Sequence, residues 1–114
     1  MKFAIDKKQG VVVIELKASL EGGPDTFDLK DEVKARLSQG ERKFVLDMTS
    51  AGFVNSTGIG VVVGIFSSIK QAEGTLNICG VSERARRAFV VTGVWSLFDV
   101  CENRDEALAK LAGA

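Results

Sequence analysis

The chain has 114 residues, 46% of them apolar and 26% charged, a balance that fits one compact soluble domain over residues 1–114 and leaves little room for a second. Fifteen basic residues match fifteen acidic ones, so no net field holds the chain on nucleic acid or on an anionic membrane. The absence of histidine and tyrosine removes the commonest general base and the commonest metal ligand, which argues against an enzyme and against a metal or cofactor site.

The opening residues Met1 to Asp6 do not form a signal peptide, because Asp6, Lys7 and Lys8 interrupt any apolar core. Lys2 to Asp6 reads as a short strand, Gln9-Gly10 as a turn and the β-branched run Val11 to Leu16 as a second strand, so the chain is expected to open with a hairpin. Glu21 to Thr26 is dense in turn formers, with Asp25 or Thr26 placed to cap the following helix. In that helix Leu29, Val33 and Leu37 recur every four residues among charged ones, and Gly40 ends it. Lys43 to Met48 suits a strand buried on both faces.

Asn55-Ser56-Thr57 supplies cap residues for a helix from Gly58 to Ala72, with Ile59, Val62, Val63, Phe66 and Ile69 at helical spacing and Gly74 as its stop. Its apolar stretch, Ile59 to Phe66, holds two glycines and is too short to span a bilayer. No membrane insertion is expected, and the location should be cytoplasmic. Thr75 to Cys79 reads as a strand, Arg84 to Val91 as a helix capped by Ser82 and ended by Gly93, Leu97 to Val100 as a last short strand, and Asp105 to Leu111 as a closing helix. The order is β-β-α-β-α-β-α-β-α. It implies an α/β fold: a mainly parallel sheet of about five strands, an N-terminal antiparallel hairpin edge and four helices. Cys79 and Cys101 sit in apolar stretches with no zinc-type spacing. They read as two reduced, buried thiols, with a disulfide as the open alternative.

One stretch carries chemistry. A buried strand ends in Asp47, a loop follows, and Ser56-Thr57-Gly58 opens a helix. A hydroxyl at that position has two readings: a helix cap, or a site where added phosphate meets free amides and the positive end of the helix dipole. The phosphate would add about 1.5 to 2 negative charges to a neutral surface. Asp47 reads either as a turn residue or as part of that site.

These residues resemble the STAS domain, named for sulfate transporters and anti-sigma factor antagonists. That family has a strand ending in Asp, a loop, and Asp-Ser-Ser/Thr-Gly-Leu/Ile-Gly opening a helix. The chain reads Asn55-Ser56-Thr57-Gly58-Ile59-Gly60 at that place. The likeness continues through the hairpin, the first helix, Thr92-Gly93, Phe98-Asp99-Val100 and Asp105 to Leu108, and so covers essentially the whole chain. It implies an anti-sigma factor antagonist working by partner switching. Its partner would be an anti-sigma factor that is also a serine protein kinase of the histidine-kinase-like ATPase type, which phosphorylates Ser56. The family's usual Asp is replaced by Asn55, which keeps shape and hydrogen bonding but not charge. This leaves a second reading open, a STAS scaffold or binding subunit of a signalling or lipid-transport assembly that works without phosphorylation.

The contact surface implied by the resemblance comprises Asp47, Asn55, Ser56, Thr57 and Gly58 with the outer face of the following helix. Helical spacing sets Val61 and Ile65 opposite Ile59, Val63 and Phe66, which exposes them unless another helix covers that side. The remaining signals are weaker. Gly58, Gly60 and Gly64 do not have dinucleotide-site spacing, and Asn55-Ser56-Thr57 is a coincidental glycosylation sequon. Arg84, Arg86 and Arg87 form either a solvated face or a contact to an acidic partner. Trp95 lies in the loop after Gly93 and is expected to be core or a partly exposed interface residue. The oligomeric state is left open by the sequence.

Overall fold

The computed structural model describes residues 3–112. It contains β1 (Phe3–Lys8), β2 (Val11–Leu16), α1 (Pro24–Ser38), β3 (Lys43–Asp47), α2 (Ser56–Gln71), β4 (Thr75–Cys79), α3 (Glu83–Val91), a single 3₁₀ turn (Trp95–Leu97), β5 (Asp99–Cys101) and α4 (Arg104–Ala112). Lys2, where the first strand was expected to begin, lies outside the described residues. The five strands form one sheet in the order β1-β2-β3-β4-β5. β1 pairs antiparallel with β2, and every other pairing is parallel. The expected α/β architecture is therefore the observed one.

The layering follows from that order. Each parallel connection joins neighbouring strands and advances the same way across the sheet. Right-handed crossovers then deposit all three crossover helices on one face. Residues of α1, α2 and α3, among them Leu29, Val33, Val62, Ile65, Ile69 and Phe89, pack there on Val12, Ile14, Phe44, Leu46, Leu76 and Ile78. The opposite face, carrying Val11, Val13, Val45, Cys79 and Cys101, is covered by Ala107 and Leu111 of α4. Alternation along each strand sorts the two sets.

Several boundaries differ from the sequence expectation. α1 begins at Pro24, capped by Gly23 without a side-chain hydrogen bond. Proline suits the first helical position because its missing N–H would have had no partner there, and Gly22 and Gly23 both take φ +92° to deliver the chain to it. Asp25 and Thr26 thus lie inside the helix, and the Thr26 hydroxyl donates to the Gly22 carbonyl at 2.9 Å. The last strand begins at Asp99, because Trp95–Leu97 winds into the 3₁₀ turn. Trp95 is half-buried, stacked 6.1 Å from the Phe89 ring, and Phe98 sits edge-on to Phe66 and Phe89. Both cysteines are buried free thiols, one directly beside the other across the β4–β5 pairing.

Candidate protein-docking site

Asn55 caps α2. Its backbone is extended, its Oδ1 accepts from the Gly58 amide at 2.9 Å, and its carbonyl accepts from the Ile59 amide at 2.8 Å. The other end of the same side chain works too: Nδ2 donates to the Glu21 carbonyl at 2.8 Å. An aspartate could make the first contact but has no donor for the second. Asn at this position therefore joins the start of α2 to the loop between β2 and α1. Backbone bonds from Leu20 N–H to Phe53 O and from Asn55 N–H to Leu20 O, both 3.1 Å, complete the join.

Gly58 faces this join. A Cβ there would lie 2.3 Å from the Leu20 carbonyl oxygen and 2.8 Å from Leu20 Cβ, so only glycine allows the first turn of α2 to approach so closely. The residue is buried. The expectation that Gly58 belongs to a contact surface is corrected: it is the packing point that fixes where the helix starts.

Ser56 is the first residue of α2 and is exposed, as is Thr57. The capping role open to Ser56 is taken by Asn55. Among the described hydrogen bonds, none uses the Ser56 hydroxyl, so it stands free at the surface. The residue borders a groove of about 400 Å³ between α2 and α3, lined by Phe53, Val54, Asn55, Ser56 and Ile59 on one side and Arg87, Ala88, Val91 and Thr92 on the other. The lining is almost wholly apolar and includes no carboxylate. Val91 at its edge is 85% exposed, a large apolar side chain without cover. Arg84 lies 4.5 Å over the Phe53 ring, a favourable cation–ring geometry.

Three other expected contact residues are placed elsewhere. Val61 and Ile65 are 5% and 0% exposed, because α2 is the middle helix of its layer and has α1 on one side and α3 on the other. The covering helix left open by the sequence is present, and the expectation of an exposed Val61–Ile65 patch is corrected. Asp47 is 6% exposed and lies on the α4 face of the sheet. Its Oδ2 accepts from Arg104 Nε at 2.9 Å and Nη2 at 2.8 Å, and its Oδ1 accepts from the Thr49 amide at 3.0 Å and hydroxyl at 2.6 Å. Burial pushes this carboxyl up, but the Thr49 hydroxyl and amide and the Arg104 guanidinium outweigh it and hold it below the usual carboxylate value. Asp47 anchors the first residue of α4 to the sheet and presents no free carboxylate for a partner.

The arginine cluster also divides. Arg86 binds Glu83 within α3 through Nε at 3.1 Å, Arg84 covers Phe53, and Arg87 reaches the groove. The sequence reading missed Phe53 and Val91 as groove residues. One signal was present: Ala85 and Phe89 fill the buried stripe of α3, so the neighbouring Val90 and Val91 have no inward position left and are exposed.

An exposed helix start that is hydrogen-bonded to the neighbouring loop and lies beside an open apolar groove offers a surface on which another protein could pack. Residues 2–107 match the STAS domain, and the chain belongs to that family. Within the family it is of the anti-sigma factor antagonist type. It is 29% identical over 109 residues to BtrV of Bordetella bronchiseptica, named as a candidate anti-sigma factor antagonist, covering 96% of this chain and 93% of that one. It is 30% identical over 78 residues to the anti-sigma-B factor antagonist of Staphylococcus aureus, covering 68% and 72%. Among solved structures, the unphosphorylated anti-sigma factor antagonist SpoIIAA shares the fold with a TM-score of 0.81 at 19% identity, covering 98% of this chain and 97% of that one. The Bacillus SpoIIAA structure in its phosphorylated form matches at 0.75, also 19% identical, covering 95% and 97%. Among the described residues no helix is long and apolar enough to cross a membrane.

Proposed function

We propose that this chain is a cytoplasmic anti-sigma factor antagonist that docks an anti-sigma factor through the α2–α3 groove, and that phosphorylation of Ser56 by that same partner ends the complex. The partner is a serine protein kinase of the histidine-kinase-like ATPase type, and the chain itself carries out no catalysis. The observation that carries this reading is the exposed Ser56, with no hydrogen bond to its hydroxyl among the described residues, beside an apolar groove. In the unmodified state the groove and Val91 offer apolar area to a partner. A phosphate at the rim brings charge that a partner packed there would have to desolvate. The solved phosphorylated form of SpoIIAA supports the idea that this fold tolerates the modification.

The test is affinity capture with tagged wild type, Ser56→Ala and Ser56→Asp, with partners identified by mass spectrometry. Wild type and Ser56→Ala are expected to recover an ATP-binding kinase-like protein, and Ser56→Asp to lose it by about tenfold or more, equivalent to at least about 1.4 kcal/mol. With ATP, wild type should gain one phosphate in intact mass and Ser56→Ala none. Equal recovery by all three forms would end the switch reading and favour the constitutive scaffold, which the neutral Asn55 would suit.

A further inference from the structure

We propose that Arg87 is the receptor for the phosphate on Ser56, forming an internal ion pair that bridges α2 and α3 and closes the groove. This rests on the reading of Ser56 as the modified residue.

Ser56, at the first position of α2, and Arg87, in the middle of α3, both border the same groove, one on each wall. The three arginines of α3 differ in what holds them. Arg86 is hydrogen-bonded to Glu83, and Arg84 lies over the Phe53 ring. Arg87 has only a 3.7 Å contact to the Glu83 carboxylate, and its side chain is 76% exposed. That contact is a weak competitor for a dianion, because exposed pairs of this kind contribute little. A planar guanidinium binds phosphate oxygens in bidentate fashion.

Besides Arg87 and the remaining free amides at the start of α2, the groove offers the phosphate no other positive group. Its lining carries no second cation, and the Gly58 amide at the helix start is already held by Asn55. Of the other charged side chains on this part of α3, Glu83 is paired with Arg86 and Arg84 lies over the Phe53 ring. Arg87 is therefore the cation positioned to answer the new charge. Its swing toward Ser56 lays its methylene stem across Val91 and Ile59, the apolar surface a partner would use. Modification thus removes the docking surface as well as adding charge to it.

The experiment uses the full chain with phosphoserine encoded at position 56, so no kinase is required, and follows the phosphate by phosphorus NMR during a pH titration. In wild type its second pKa should fall below the roughly 6 of free phosphoserine by about half a unit or more. Arg87→Gln should return it most of the way to the free value, Arg87→Lys should keep more of the shift than Arg87→Gln, and Arg84→Gln should leave it in place. Identical titrations for wild type and Arg87→Gln would overturn the ion pair while leaving the switch itself standing. The switch fails on a different result, namely capture of the kinase partner by the phosphorylated wild type as efficiently as by the unmodified chain.

Discussion

Replacing Gly58 by alanine should destabilise the protein, although the same change two residues later should stabilise it. Within a helix, glycine is about 1 kcal/mol less favourable than alanine. At Gly60, which is exposed and has nothing within 4 Å of the place an added methyl group would take, that gain should appear almost in full. At Gly58 the methyl group would meet the Leu20 carbonyl oxygen at 2.3 Å, the Leu20 carbonyl carbon at 2.9 Å and Leu20 Cβ at 2.8 Å. Two of these three atoms are backbone, so no side-chain rotation relieves the contact. Overpacking of this kind costs about 1–3 kcal/mol, and movement of α2 away from the loop would also strain the Asn55–Glu21 hydrogen bond, worth about 1 kcal/mol. With the helix gain set against these, Gly58→Ala should lose about 2 kcal/mol and Gly60→Ala should gain about 0.5–1 kcal/mol. Urea unfolding followed by circular dichroism measures both. Equal or raised stability of Gly58→Ala would refute the argument that the close approach of α2 to Leu20 requires glycine.

Two further outcomes follow from the sheet's other face. Asp47 has a folded-state pKa held below its unfolded value. Its contribution to stability is therefore present above about pH 4 and is lost as the pH falls through the depressed folded value. Asp47→Asn should lower stability at neutral pH by about 1–2 kcal/mol, with the gap to wild type narrowing below pH 4 in urea melts taken across that range; a constant gap would discount the ion pair. Burial first, and the nearby Asp47 charge second, push the Cys79 thiol up to about 12, and burial raises Cys101 as well. Neither should react with a thiol reagent at pH 8 in the native state, and both should react in denaturant; rapid native labelling of either would contradict their placement.

The chain order, the strand count and the opening hairpin were legible because each strand is a short apolar run between turn formers and each helix carries an apolar stripe. The burial of Val61 and Ile65 was not legible. Periodicity identifies one stripe, but a helix flanked by two others buries a wider arc than its stripe. Asp47 and Arg104 are 57 positions apart, and nothing in the local pattern of either indicates that the other is its partner. The cap of α2 falls between two adjacent candidates that sequence alone does not separate. Asn55 and Ser56 are both good caps, and the role goes to Asn55 because its amide also reaches a carbonyl on a distant loop. The groove was invisible for the same reason, since its two walls come from Phe53–Ile59 and Arg87–Thr92.

The strictly sequential strand order has a consequence for synthesis on the ribosome. Every strand pairs with the one made just before it, so the sheet extends from one edge and no later strand must be inserted between two earlier ones. This keeps loop-closure distances short and favours orderly folding as the chain emerges. The start of α2 is joined to the earlier Leu20–Glu21 loop, whereas the groove has no second wall until α3 arrives. A partly synthesised chain thus exposes the start of α2 before the groove beside it has formed, and a ligand that needs both walls can bind only once α3 has been made.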